Sequence, residues 1–382
     1  MTTYGGFIGM EEKLKEILDY YVVLNKLKID ILDEDKCFSH ADNIFGSVVL
    51  AVAMDSEFKE INNLGKILKL LILDGFVTNG SFISLDVLNI SKKFENEFKK
   101  LSSSVDKDAC LVFKYRVCDV ALAGLINKCS YSNSKILQDG RILLNLFDKH
   151  DISRYDEVLK FYYNNCRLKN KNRSGWDRRH WNVKTERPER ISEHVVGTMG
   201  LAIVMQKQFG YDIDLNKVLK MLAIHEIGEI LIGDITPFDG ITPEEKQEME
   251  HQAMSDVLGN LTDKQKLLDL LFEFDKRESN EARFAYFCDK MEADLQSKLY
   301  QDRGMHRSLD NQKNNVVFRT EVARKLIDEG AETAFDIWYG YDKHIYENDQ
   351  RYPEFSLLLD TAKSYNMANH NTLKRSRVMR DK

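Results

Sequence analysis

Residues 225–237 read His-Glu-Ile-Gly-Glu-Ile-Leu-Ile-Gly-Asp-Ile-Thr-Pro, setting one histidine and three carboxylates among apolar and small neighbours. On a helix His225 and Glu229 lie four apart and share a face, with Glu226 one step round. The flanking Leu222, Ala223, Ile224, Ile227, Ile230, Leu231 and Ile232 are what a buried helix carries. Imidazole and carboxylate in that setting need a strong partner, and a metal ion is the usual one. His194 and Asp289 sit on earlier and later helical segments. Taken singly, each has a bland explanation as a core histidine or a surface acid. Together, two imidazoles and two carboxylates (His194, His225, Glu226, Asp289) suit Mn²⁺, Co²⁺, Fe²⁺ or Zn²⁺, with positions left open for water.

The elements that must carry these groups are helical. All four prolines lie beyond residue 187, and apolar residues recur at helical spacing through both halves of the chain, which predicts an all-α fold. Asp214 is placed to cap a helix over Leu215–Ile230. Thr242-Pro243-Glu244-Glu245 combines a capping box with proline at the first helical position, opening a helix that runs to Gly259. Thr262 or Asp263 starts the next segment, and Ser279 starts a long helix through Asp289 to about Asp302, closed by Gly304. Gln296 and Tyr300 follow Asp289 on one face of that helix, where they either line a pocket or pack in the core. His251 reads as a partly exposed, inert residue, and Lys246 and Glu250 read equally well as an i,i+4 salt pair.

Composition narrows the function classes. The chain has 382 residues, enough for two or three domains, with a net charge of −6, so stable nucleic-acid binding is not expected. No apolar run approaches a bilayer span and no signal peptide is evident at Met1–Gly9, so no membrane association is expected. Six cysteines without a Cys-x-x-Cys pair read as reduced thiols, and a cytoplasmic location follows.

An internal repeat organises the chain. Residues 42–76 align without a gap to 193–227, with Gly46/Gly197, Leu50/Leu201, Met54/Met205, Phe58/Phe209 and Leu68/Leu219 among ten identities in 35 positions. A second match joins Cys118-Asp119 to Cys288-Asp289. In the first copy Asn43 stands where His194 is, Asp74 where His225 is, and Gly75 where Glu226 is. Only Asp119 matches an acidic candidate, Asp289; framework positions are otherwise shared while the remaining candidate ligands occur in the second copy alone. The expected organisation is residues 1–165 as a degenerate helical domain without metal ligands, 166–368 as the domain holding the site, and a basic disordered tail over 369–382. A ligand-free copy commonly serves packing or dimerisation, so a homo-oligomer is possible.

Four ordered stretches carry a family resemblance: Arg173-Ser-Gly-Trp176, Pro188-Glu-Arg-Ile-Ser-Glu-His194, the 225–237 segment, and Cys288-Asp-Lys-Met-Glu-Ala-Asp-Leu-Gln296. Residues 173–300 resemble the HD superfamily of metal-dependent phosphohydrolases, most closely its 5′-deoxynucleotidase-like branch. The resemblance implies an HD-type helical bundle, and the internal repeat extends this to two tandem copies with the first degenerate. It implies His194, His225, Glu226 and Asp289 as metal ligands, and Glu229 as general acid/base or orienter of the attacking water. Asp234 would face the sugar, and Arg173 and Trp176 would line the phosphate and ribose side, with Arg173 also absorbing charge on the phosphoryl oxygens. The family's dyad is His-Asp; here it is His225-Glu226, whose extra methylene moves the carboxylate by ~1.5 Å unless the backbone compensates. Residues 167–190 hold nine basic side chains against three acidic ones. Of these Lys171, Arg178, Arg179 and Lys184 read as a solvated connector. The implied activity is removal of phosphate from (deoxy)nucleoside 5′-monophosphates. The alternatives are a deoxynucleoside triphosphate triphosphohydrolase, or a nucleotide-binding or scaffold protein whose site has drifted.

Overall fold

The computed structural model of the chain describes residues 3–29, 38–59, 63–78, 107–127, 133–147, 151–236, 239–312 and 315–369. Among these it is all-α, with one isolated bridge between Asn172 and Arg190. The helices are α1 (Thr3–Ile29), α2 (His40–Phe58), α3 (Leu64–Thr78), α4 (Lys107–Asn127), α5 (Asn133–Leu144) and α6 (Ile152–Asn165) in the first half. The second half holds α7 (Ile191–Phe209), α8 (Leu215–Ile224), α9 (Glu229–Ile232), α10 (Pro243–Leu258), α11 (Lys264–Lys276), α12 (Asn280–Asp302), α13 (Glu321–Asp328), α14 (Ala334–Glu347) and α15 (Pro353–Ser364). The tail read over 369–382 lies, past Asn369, outside the described residues.

Two buried helices, α2 and α7, form the centre, and their N-termini meet. Ser39 caps α2 by accepting from Asp42 N, while Glu193 accepts from Arg190 N at the start of α7. The two caps then cross-bond. Ser39 Oγ donates to Glu193 Oε1 (2.6 Å), Arg190 Nη1 to Asp42 Oδ2 (2.8 Å) and Ser192 Oγ to Asp42 Oδ1 (2.6 Å). Buried carboxylates at helix N-termini are favourably placed against the orphan backbone N–H groups there. Around this pair, α2 packs on α3, α4 and α6, while α7 packs on α8, α12 and α1. One continuous apolar core runs through both halves, from Leu18, Val48 and Leu68 to Met199, Leu222, Leu295 and Phe355. A smaller cluster built on Trp176, Trp181, Tyr300, Val317 and Ile337 stands apart from it.

The helix caps read from Thr242 and Ser279 hold, and Asp263 begins α11. The helix expected over Leu215–Ile230 does not run through. Asp214 caps it as expected, but α8 ends at Ile224, with a turn across 225–228 before the short α9. Backbone bonds from Ile227 N to Ile224 O (3.1 Å) and from Glu229 N to Glu226 O (3.1 Å) tighten this stretch to i→i−3 geometry. The break falls on the acidic histidine segment itself and re-aims its side chains.

Candidate functional site

Three elements converge below the 225–228 turn: the first turn of α7 with His194, the end of α8 with His225 and Glu226, and the middle of α12 with Asp289. One donor atom from each of these four residues lies within 4.8 Å of all the others. His194 Nε2 is 2.8 Å from Asp289 Oδ1 and 3.5 Å from Glu226 Oε1; His225 Nε2 is 3.6 Å from Glu226 Oε1 and 3.7 Å from Asp289 Oδ1. Ligands about 2.0–2.2 Å from a shared transition metal sit roughly 3–3.5 Å apart from one another, so the four already have the spacing of a coordination shell.

The ring tautomers are fixed from behind. His225 Nδ1 is 2.8 Å from Leu222 O, an acceptor, so its proton is on Nδ1. Its Nε2 is buried and has no hydrogen-bond partner. An imidazole lone pair buried toward two carboxylates is an electron donor without an acceptor, and a divalent cation is the group that fits it. His194 Nδ1 is hydrogen-bonded to Glu292 Oε2, leaving Nε2 to face the same centre.

Charge at the site is strongly perturbed. Burial works to raise the Glu226 carboxyl, but His225, Arg173 and His194 outweigh it and hold it at about 2. Asp289 is likewise held well below the usual carboxylate range against its burial, chiefly by Lys290 and His194. Glu229 goes the other way: burial, then the charges of Asp234 and Glu226, push it well up. Carboxyl groups driven apart in this way mark an acid beside permanent anions.

The centre opens into a cavity of about 450 Å³, and every residue assigned to substrate or catalysis from the sequence lines it: Arg173, Trp176, Glu229 and Asp234. Arg173 Nη1 donates to Glu226 Oε1 (2.6 Å), and its Nε is 4.0 Å from Asp234 Oδ2. Asp234 Oδ2 also accepts from Ser174 N (2.7 Å), which ties the 173–176 turn to the segment after α9. The Trp176 ring stacks on Trp338 of α14, centroids 5.2 Å apart, and its Nε1 donates to Glu189.

Other readings resolve plainly. Gln296 and Tyr300 pack in the core: Gln296 Oε1 accepts from Asn25 Nδ2 (2.6 Å), and the Tyr300 hydroxyl accepts from Glu189 N (2.9 Å). Lys246 and Glu250 do form an ion pair (3.4 Å), at the cavity edge. His251 pairs with Asp275 (2.7 Å) away from the four donors. Lys171 donates to the carbonyls of Glu229 and Ile230 and anchors α9.

Sequence reasoning missed Glu292, although its position three residues after Asp289, on the same helix face, was a usable signal. It also missed Lys290, Arg277, Trp181, Trp338 and Asp342 on the cavity wall, the last two contributed from beyond residue 300 with no local pattern to mark them.

A family model described as HD domain matches residues 166–329. The 5'-deoxynucleotidase HDDC2 of Dictyostelium discoideum is 34% identical over 150 residues, spanning 37% of this chain and 77% of that protein. The chain belongs to the HD domain family. Within it the chain falls in the 5′-deoxynucleotidase-like branch. The 5'-deoxynucleotidase HDDC2 of Mus musculus is 32% identical over 149 residues, 38% of this chain and 70% of the relative. The 5'-deoxynucleotidase hdd1 of Schizosaccharomyces pombe is 29% identical over 141 residues, 35% and 68%. The HD domain match takes in all four donors with Arg173, Trp176, Glu229 and Asp234. It leaves out α1–α6, α14 and α15, although α14 supplies Trp338 and Asp342 to the cavity.

Proposed function

We propose that the chain is a metal-dependent 5′-nucleotidase that removes phosphate from (deoxy)nucleoside 5′-monophosphates. The observation that carries this is the meeting of His194, His225, Glu226 and Asp289 at coordination distance, with Arg173 and Glu229 beside them in one cavity. Under this reading those four side chains hold a divalent transition metal. Such an ion, when bound, lowers the pKa of a water molecule and offsets charge on phosphoryl oxygens. Arg173, fixed by Glu226 and Asp234, presents its remaining N–H groups to the phosphate. Glu229 is held protonated by its burial, and its Oε2 has no partner, so it is placed to give a proton to the leaving 5′-oxygen. Asp234 faces the sugar, and the Trp176–Trp338 stack forms the wall for the base.

The triphosphohydrolase reading needs cations free to take additional phosphates. Three cations of the cavity, Arg173, Lys246 and Lys290, are paired with Glu226, Glu250 and Asp289, which favours the monophosphate, while Arg277, lying over the Tyr286 ring (3.9 Å), is the cation that a longer phosphate chain would engage. The domain reading travels with the proposal: 166–368 as the HD phosphohydrolase and 1–165 as a degenerate copy, supported by α2 meeting α3 and α4 as α7 meets α8 and α12. The cytoplasm is the proposed setting, supported by the free thiols of Cys110, Cys118, Cys166 and Cys288.

The test is a phosphate-release screen over nucleotides with Mn²⁺ or Co²⁺, alongside metal analysis. Inorganic phosphate from 5′-monophosphates is expected. Tripolyphosphate from deoxynucleoside triphosphates would replace the proposal with the second activity. A metal-free, inert protein that still binds nucleotide would replace it with a scaffold.

A further inference from the structure

His194 depends, through one intermediary, on residues outside the HD domain match. Its Nδ1 is held by Glu292, which is wholly buried on α12 one turn beyond Asp289. Glu292 is held in turn by α1: Tyr21 OH donates to Glu292 Oε1 (2.8 Å), and Lys28 Nζ is ion-paired with the same oxygen. Lys28 also pairs with Glu189, whose other oxygen takes the Trp176 indole N–H. Tyr21, Asn25 and Lys28 fall on one face of α1 at i, i+4 and i+7, and all three meet Glu292 or Gln296.

The carboxylate on α4 of the first half is held by the same construction, with its lysine just past the boundary at residue 169. Tyr162 OH donates to Asp119 Oδ1 (2.6 Å) and Lys169 Nζ pairs with it (3.0 Å), both wholly buried. Tyr162 and Lys169 are seven residues apart, as Tyr21 and Lys28 are. A Cβ at Gly46 would overlap the Asp119 carboxylate, as one at the repeat-matched Gly197 would overlap that of Glu292. Asp119 aligns in sequence with Asp289, yet it does in its half what Glu292 does in the other. The supporting elements differ in origin: α1, from the first half, crosses to serve the carboxylate on α12, while α6 and the turn after it serve the one on α4 of their own half.

We propose that Lys28 and Tyr21 are positioning residues for the metal centre, holding Glu292 so that it fixes the His194 ring with Nε2 toward the ion. This rests on His194 being a metal ligand. Carboxylates that orient a ligating histidine raise metal affinity roughly 10–100-fold, and one of two apposed buried carboxylates cannot hold its place without the ammonium between them.

The experiment is calorimetric titration of Co²⁺ into the metal-free full chain, with thermal melts of the same samples. Lys28→Met is expected to weaken Co²⁺ binding about 10–100-fold and to shift the visible band of the loaded protein. Tyr21→Phe, which keeps the ion pair, should weaken it several-fold. Lys169→Met and Tyr162→Phe are the matched controls. They should lower the melting temperature of the metal-free protein as much as their counterparts do while leaving Co²⁺ affinity unchanged. Wild-type affinity in Lys28→Met or, if that variant does not fold, in Tyr21→Phe overturns the proposal. So does an equal loss in the controls, which would make the effect one of general stability. Absence of Co²⁺ binding in the wild type would overturn the metal-site reading itself, and this inference with it.

Discussion

Two buried carboxylates, Asp119 and Glu292, occupy comparable surroundings and differ in what lies on their far side. Each faces a helical glycine, each takes a tyrosine hydroxyl and each is paired with a buried lysine. Beyond Glu292 stands His194 and then three more donors; at the position aligned with His194 the first half has Asn43. Packing alone therefore accounts for the lysine, the tyrosine and the glycine, since all three occur around Asp119, where no cluster of metal donors is found among the described residues. It does not account for the histidines. The comparison separates what holds this kind of bundle together from what was added for chemistry, and it shows the second resting on the first.

The comparison breaks most readily at its chemical end. His225→Ala should abolish metal binding and with it phosphate release, while Asp74→Ala at the aligned position should leave metal stoichiometry untouched; elemental analysis of both proteins checks this, and retained stoichiometric metal in the histidine variant would end the assignment. Next in size is the buried lysine of the control half. Lys169→Met leaves Asp119 uncompensated and should cost ~3–5 kcal/mol in denaturant unfolding with turnover per folded molecule unchanged. Gly46→Ala and Gly197→Ala should each cost ~1–3 kcal/mol by overpacking against their carboxylates, but Gly197→Ala alone should also weaken metal binding. Glu226→Asp should lower activity: the shortened carboxylate withdraws ~1.5 Å from both the donor cluster and Arg173, and a gain in kcat would mean that glutamate is the detuned choice.

The smallest effect concerns acid. Burial lowers His306, which packs against Trp176 and Trp181, to about 4. A histidine held neutral contributes stability that is present above its unfolded value near 6.5 and is lost as pH falls toward 4, because the unfolded chain then binds the extra proton. Between those limits the slope is at most ~1.4 kcal/mol per pH unit. His306 lies in the second half, so acid should loosen the surroundings of Trp176 and Trp181 first. Melting curves from pH 7 to 4 for wild type and His306→Gln, at fixed metal, should converge as the pH falls.

Much of the site was legible because its signals are local. Thr242, Ser279 and Asp214 announce helix starts through side-chain oxygens that satisfy nearby backbone N–H groups, and those starts are found. The four donors stand out as polar residues on apolar helices. Two things were not legible. The break at 225–228 depends on i→i−3 bonds that Gly228 permits but does not demand, so a continuous helix was the natural reading. The contact between Lys28 and Glu292 joins residues 264 apart, and neither is unusual in its own neighbourhood. Even the recurring seven-residue spacing of tyrosine and lysine looks like an ordinary helix stripe until both carboxylates are seen. Tyr300 and Gln296 show the converse: helical spacing placed them on the face of Asp289, and only packing decided that they belong to the core.

The crossing of α1 to the second half has a consequence in time. Lys28 leaves the ribosome well before the carboxylate that receives it, which follows 264 residues later. At ~5–20 residues per second that interval is on the order of tens of seconds. Throughout it the face of α1 bearing Tyr21, Asn25 and Lys28 has no seat. α1 is thus made long before it can be placed. A nascent chain stalled before α12 carries three of the four donors but neither Asp289 nor the carboxylate that fixes the His194 ring.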